Sequence, residues 1–373
     1  MHIRTNTLKI DLSALVFNLK QVKSLVGSAI GIMGVVKSDA YGHGLLPVSR
    51  TLEASGVACL GVANLDEALK LRDAGIRLSI VILCGVQTRE ECRAAAENDL
   101  TPVVFDYGAA ELLAQESARL NKITPVHLKI DTGMGRLGIS SDALGPFLSR
   151  LGGMHGIEIQ ALISHLSSAD NLAGGFTKTQ IARFKDAINF GRSVGLELPL
   201  NNLANSAGVL GHPESHFDLV RPGIMLYGGN PSTDFDSPVP LKPVMSFTGH
   251  VLQIKTLPDQ SPVSYGRSYY TQGLQKIAVL SAGYGDGLPR GMSNEGAVLI
   301  GGEKRPILGR ICMNLTISDV TGLSKTSPGD EAVFLGRYDD EIITGDDIAR
   351  WAGTISYEVF CSLGRSNRKT YLK

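Results

Sequence analysis

IGIMGVVK, residues 30–37, is apolar or glycine up to its last position, where a lysine follows directly. An uninterrupted run of this length is what a strand buried on both faces requires. Reading outward, the same kind of run recurs at Cys59–Asn64, Leu78–Leu83, Leu100–Phe105, Val126–Asp131, Ile157–His165, Leu200–Ala204 and Asp218–Arg221, the last being short and polar at its start. Amphipathic segments such as Asp66–Ala74, Arg89–Asn98, Gly108–Leu120 and Thr177–Val194 lie between them, several ending near Gly or Asn as helices do. Eight strands alternating with helices predict an α/β fold, a (β/α)8 TIM-type barrel. A doubly wound open sheet is the competing architecture, but no GxGxxG turn follows the first strand to favour it.

The rhythm changes after Pro231, where Pro238, Pro240 and Pro243 follow closely. Short alternating runs then appear at Ser246–Ile254, Ile277–Ser281, Ala297–Gly301, Arg305–Leu308, Leu315–Asp319, Ala332–Leu335 and Arg368–Leu372. Their spacing predicts a mostly antiparallel β domain with one short helix, Asp346–Trp351. The expected division is a barrel over residues 1–233 and a C-terminal β domain over 234–373, with the first ten residues or so pairing with the latter.

Lysine plus arginine and aspartate plus glutamate number 36 each, without long blocks. That balance argues against nucleic acid as a partner and leaves a small molecule or another protein. The five cysteines (Cys59, Cys84, Cys92, Cys312, Cys361) form no CxxC pair and no metal-ligand spacing. They are expected to be buried small hydrophobes in a reducing compartment, so a cytoplasmic location with no metal is expected. No run approaches the roughly 18 apolar residues of a membrane span.

In a barrel, chemistry gathers at the carboxyl ends of the strands. Here those ends carry Lys37, then Asp131 followed by a loop with Arg136, then Ser164–His165, Asn205–Ser206 and Arg221-Pro-Gly223. A lysine leaving a buried strand loses solvation, which lowers its pKa and makes it nucleophilic toward aldehydes. Ser206, at the start of a short helical pattern, and the bare backbone of Gly223 suit a phosphate. Taken singly, each has a plain alternative: a strand-end lysine reaching solvent, a core histidine, a helix N-cap for Ser206. Together they point to a carbonyl-type cofactor, or to a Schiff-base aldolase acting on a sugar phosphate.

Several segments resemble the bacterial alanine racemase family, fold-type III pyridoxal-phosphate enzymes. They are VVKSDAYGHG (35–44), LKIDTGMGRLG (128–138), ISHLSSAD (163–170), LANSAG (203–208), VRPGIMLYG (220–228), VSYG (263–266), AGYGDGLPR (282–290), GRICMN (309–314) and ISYEV (355–359). The resemblance spans nearly the whole chain and implies a barrel that binds pyridoxal 5'-phosphate, followed by a β domain. It implies that Lys37 holds the cofactor as a Schiff base and serves as one catalytic base. Tyr265 would be the second base, supplied by the other subunit of a homodimer and tuned by a His165–Arg221 relay. An arginine at the pyridine nitrogen leaves the ring neutral and its carbanion short-lived. Tyr41, Asn205, Ser206, Gly223, Ile224 and Tyr357 match cofactor contacts, Arg136 and Met313 substrate contacts, and Tyr284, Arg290 and Arg310 the substrate access channel. Lys129 matches a position that is carbamylated in relatives.

The implied activity is interconversion of L- and D-alanine, supplying D-alanine for peptidoglycan. Asn314 stands where most of the family has aspartate, which keeps open a broader-specificity or serine racemase. A non-catalytic pyridoxal-phosphate-binding barrel and a fold-type III amino-acid decarboxylase are the remaining alternatives.

Overall fold

The computed structural model describes residues 6–232 and 235–372. The chain begins with β1 (Thr7–Asp11) and a helix, Leu12–Val26, whose first turn is capped by the Asp11 carboxylate accepting the Ala14 N–H at 3.0 Å. Next come seven short parallel strands: β2 (Gly31–Val35), β3 (Cys59–Val62), β4 (Ser79–Ile82), β5 (Thr101–Val104), β6 (Thr124–Lys129), β7 (Ile157–Ile163) and β8 (Leu219–Val220). Consecutive strands through β7 are neighbours, and β2 also pairs with β8. Met33, Cys59, Val81, Val103, Ile163 and Leu219, from successive strands, form one cluster inside the ring. This interior is filled by side chains, as small barrels require.

The expected seventh strand, Leu200–Ala204, is not formed as a strand. Its backbone nonetheless closes the ring. Asn202 exchanges bonds with Leu162 and Ser164 on one side, while Asn201 and Ala204 carbonyls accept from Leu219 and Arg221 on the other. Regularity is lost because the amides compete with the ladder: Asn201 Oδ1 accepts the Leu162 N–H at 3.0 Å and Asn202 Nδ2 donates to the Leu200 carbonyl at 2.7 Å. The barrel is therefore closed, and the open-sheet alternative falls. Strand ends also retreat from the expected positions. The chain leaves β2 at Val35, so Lys37, Asp131 and His165 all lie on the loops just past the strands.

The remaining strands are β9 (Met245–Leu257), β10 (Pro262–Val263), β11 (Tyr269–Tyr270), β12 (Gln275–Leu280), β13 (Ala297–Ile300), β14 (Glu303–Pro306), β15 (Thr316–Asp319), β16 (Glu331–Tyr338), β17 (Glu341–Ile343) and β18 (Lys369–Leu372). The main sheet runs β14-β13-β16-β9-β1-β18, with β12 crossing onto the far half of β9. All its pairings are antiparallel except β1 with β18. The first strand of the chain thus lies in the sheet built by its last third, whereas residues 1–5 lie outside the described residues.

A second helix, Ser356–Ser366, follows Gly345–Ala352 and was not expected from the strand rhythm. It packs so closely on the loop after β2 that a Cβ on Gly42 would sit 2.2 Å from the Phe360 carbonyl oxygen. Through this contact the C-terminal part of the chain reaches the barrel mouth.

Candidate active site

The loop after β2 is the most strained local structure in the site. Ser38, Asp39, Ala40 and Tyr41 have φ of 56, 55, 53 and 54°, four consecutive non-glycine residues in the left-handed region. Each costs roughly 1–2 kcal/mol for an L-residue. Such a turn persists only where its surroundings determine it. It begins at Lys37 and ends at Tyr41, so its hand sets where both side chains point.

Lys37 and Tyr41 line a cavity of about 410 Å³ with Lys129, Arg136, His165, Asn205, Ser206, Arg221, Gly223, Ile224 and Tyr357. Of the strand-end residues singled out from the sequence, Asp131 and Ser164 stand behind this wall rather than in it, and Tyr357 enters it from the helix Ser356–Ser366. Burial, then the charges of Arg136 and Arg221, hold the Lys37 amine below the usual lysine range. An amine so placed is a better nucleophile near neutral pH.

Arg221 is buried and fixed by four bonds. It donates to Asn202 Oδ1 at 2.6 Å, to the Ser164 and Leu203 carbonyls at 2.5 and 3.3 Å, and to His165 Nδ1 at 3.1 Å. Burial lowers its guanidinium to about 9, so it remains a cation at neutral pH. A guanidinium has no acceptor, hence His165 must present Nδ1 as a lone pair and carry its proton on Nε2. Burial and the surrounding cations keep that imidazole neutral. Sequence reading missed Asn202, the partner that orients the guanidinium; a polar residue within an apolar run was the available signal.

At the other end of the cavity, Ser206 Oγ accepts the Gly223 N–H at 2.9 Å. The helix N-cap is Asn205 rather than Ser206: Asn205 Oδ1 accepts the Gly208 N–H at 3.0 Å, which leaves the Ser206 hydroxyl to the cavity. A Cβ on Gly223 would lie 2.3 Å from Tyr41 Oη, so only glycine leaves that space. Ile224 opens a short 3-10 turn and has no acceptor within it for its N–H. The Tyr41 ring lies 4.9 Å from Tyr227 and 5.8 Å from Tyr357, centroid to centroid. Burial raises both Tyr41 and Tyr357, so each stays a neutral donor. Hydroxyls and backbone N–H groups around an uncovered space make a donor set for a phosphate.

Arg136 is presented by a loop wound on Asp131, whose carboxylate accepts the N–H groups of Gly133, Met134 and Gly135. Lys129, half-buried, lines the same cavity. Burial, with Arg221 and Arg136, drives its amine well below the ordinary value. Asp131, the acid whose charge reaches it, is committed to its own loop, and no ion pair to Lys129 forms among the described residues.

Tyr265, Met313, Tyr284, Arg290 and Arg310 do not line this cavity. They cluster on the β domain. Tyr284 N–H donates to the Cys312 carbonyl at 3.0 Å, and the Arg310 guanidinium packs where a Gly266 Cβ would be. Tyr265 is 69% and Met313 59% exposed, with Tyr284 also on the surface. Asn314 donates to Asp286 Oδ2 at 3.2 Å. The expectation that all cysteines are buried holds for Cys59 and Cys92; Cys84 is exposed, lining the Lys37 cavity, and Cys312 and Cys361 are half-buried. No cluster able to ligate a metal occurs among the described residues.

Comparison with known proteins identifies the family. The N-terminal domain of alanine racemase matches residues 10–231, and the C-terminal domain of alanine racemase matches residues 244–371. The chain belongs to the alanine racemase family. The curated alanine racemase of Syntrophobacter fumaroxidans is 42% identical over 363 residues, 97% of this chain and 96% of that one. The crystal structure of alanine racemase from D-cycloserine-producing Streptomyces lavendulae superposes with a TM-score of 0.93 at 32% identity, covering 100% of this chain and 98% of that chain. That from Bartonella henselae, with covalently bound pyridoxal phosphate, gives 0.89 at 30% identity, covering 99% of this chain and 100% of that one. Members of the alanine racemase family are isomerases, and this chain is an enzyme of that class.

Proposed function

We propose that this chain interconverts L- and D-alanine with pyridoxal 5'-phosphate, held at Lys37, in a homodimer whose active sites are completed across the subunit interface. The observation that carries the reading is the cavity itself. An aldehyde-reactive amine sits at one wall, a phosphate-type donor set at one end, and a buried guanidinium paired to a neutral histidine at the other. The residues fit the cofactor that the Bartonella relative binds. Ser206, Gly223, Ile224, Tyr41 and Tyr357 would take its phosphate, Arg221 its ring nitrogen, and Lys37 its aldehyde. When bound, the group supplies an electron sink that makes the α-proton of an amino acid labile.

The chain's own groups then handle the proton. Lys37 Nζ, kept below its usual range, removes or returns it on one face. Arg136 and Met313 receive the substrate carboxylate. Tyr265 Oη of a second copy serves the opposite face, which accounts for its exposure in the single chain. Such a phenol needs a polarising neighbour, and the His165 Nε2 proton, set by Arg221, supplies it. Tyr284, Arg290 and Arg310 would line the access channel. Lys129, a neutral amine among cations, suits conversion to a carbamate anion by addition of carbon dioxide to Nζ with loss of one proton. Carbon-13 bicarbonate labelling should give a carbamate resonance that disappears in Lys129→Arg. Free thiols suit the cytoplasm.

Borohydride reduction of the yellow holoenzyme followed by mass spectrometry tests the reading. The adduct is expected on Lys37, with colour and racemisation both lost in Lys37→Ala. A colourless protein, or an adduct elsewhere, overturns it. A wider amino-acid range is the second reading, because Asn314 bonds Asp286 and leaves one carboxylate rather than two beside Met313. Assays of D-product from alanine, serine, lysine and arginine separate the two.

A further inference from the structure

We propose that Glu67, Asp39 and Lys369 are positioning residues for Lys37, a clamp that fastens its left-handed turn to the last strand of the β domain. The inference rests on the reading that Lys37 holds the cofactor. Glu67 and Lys369 were not singled out from the sequence; Asp39 stands out there only because Ser38–Asp39 replace the family's common Ala-Asn after the lysine.

The strained turn is held from two sides. On the barrel side, Glu67 uses both carboxylate oxygens on backbone donors: Oε1 accepts the Asp39 N–H at 3.1 Å and Oε2 the Ala63 N–H at 2.9 Å. One side chain thus joins the turn to the end of β3. On the other side, Asp39 Oδ1 accepts the Leu45 N–H at 2.7 Å, capping the exit of the turn, while Oδ2 meets Lys369 Nζ at 2.9 Å. Lys369 also donates to the Gly364 carbonyl at 2.8 Å, in the helix that packs on Gly42. Its side chain is only 14% exposed, so it is a fixed tie rather than a waving surface charge.

The consequence is directional. Lys37 and Tyr41 bracket the turn, so the clamp fixes the amine and the phosphate-facing hydroxyl together. Lys369 belongs to β18, which pairs with β1. The barrel's reactive amine is therefore registered against the main sheet of the β domain. Had Asp39 only solvated the loop, neither the second oxygen's partner nor the half-buried lysine would be required.

Full-length Glu67→Gln, Asp39→Asn, Lys369→Met and Lys369→Arg test this. Two readouts serve: amide hydrogen exchange across residues 39–45 in cofactor-free protein, and the dissociation constant for pyridoxal phosphate. Glu67→Gln should speed exchange in that segment and weaken the cofactor by about tenfold each, as loss of a charged hydrogen bond implies. Asp39→Asn, which keeps an acceptor for Leu45, and Lys369→Met should each give roughly threefold. Their double variant should be no worse than either alone, and Lys369→Arg should restore wild-type values. Unchanged exchange and affinity in all variants, or faster exchange spread evenly over the protein without rescue by arginine, overturns the clamp. If the wild-type protein binds no cofactor on Lys37, the proposed function fails instead, and the exchange data still decide the clamp.

Discussion

The barrel mouth and the exposed face of the β domain both carry residues implicated by the same motifs, yet they are built differently. At the mouth, the groups that brace the wall are tied within the chain: Arg221 makes four bonds, and Asp131 organises three backbone donors. On the β domain, the backbone around Tyr265, Tyr284 and Met313 is equally well braced, but the side chains point outward without partners in the cavity. The difference is the one that the proposed homodimer requires, in which each copy would hold the cofactor and lend Tyr265 to the other. Large exposed aromatic and sulfur side chains above a rigid loop are the expected form of a group that acts in another copy's site.

The sharpest way to break this contrast is subunit mixing. Lys37→Ala and Tyr265→Phe should each lower kcat/KM by on the order of 10³-fold or more. Refolding the two variants together should recover roughly a quarter of wild-type activity, because half of the random dimers regain one intact site. No recovery would mean that the β-domain residues do not act across subunits.

The next effect concerns the mouth alone. Arg221→Lys replaces a planar fork with a point charge and strands Asn202 and two carbonyls. It should destabilise the protein by about 3 kcal/mol in urea unfolding, since buried groups lose their donors. It should also release His165 from its set tautomer, visible as a changed pH profile of racemisation. A variant as stable as wild type would show that the pinning is decorative.

Gly223→Ala should weaken pyridoxal phosphate by about tenfold with little loss of fold, because the new methyl must displace Tyr41 Oη. Equal affinity would remove the Tyr41–Gly223 wall from the phosphate site.

The remaining effect is a pH dependence confined to the barrel. Burial holds His127 down to about 3 and His43 to about 4. Their folded values lie below the unfolded one, so stability is full above about pH 6.5 and falls as the unfolded chain alone takes up protons. His127→Asn should reduce the loss between pH 7 and pH 5 by about 2 kcal/mol, read as unfolding free energy. An unchanged loss would locate the acid sensitivity elsewhere.

Much of this was legible from order along the chain. Apolar runs without alternation predicted parallel strands buried on both faces, and the polar residue after each run predicted the wall of the mouth. Where reading failed, tertiary competition had decided. Leu200–Ala204 has the composition of a strand, but the side chains of Asn201 and Asn202 claim the backbone groups a ladder needs. The helix expected at Asp66–Ala74 begins at Leu65, capped by Asn64 from the end of the expected strand, and the carboxylate of Glu67 turns to the lysine loop.

By itself, the sequence determined the fold class and most of the polar residues that line the Lys37 cavity, because burial patterns and strand-end positions are properties of local order. Only the tertiary structure decided the hand of the turn after Lys37, the tautomer of His165 and the partner of Asp39. Each depends on groups far apart in the chain, and no local propensity favours four left-handed residues in succession.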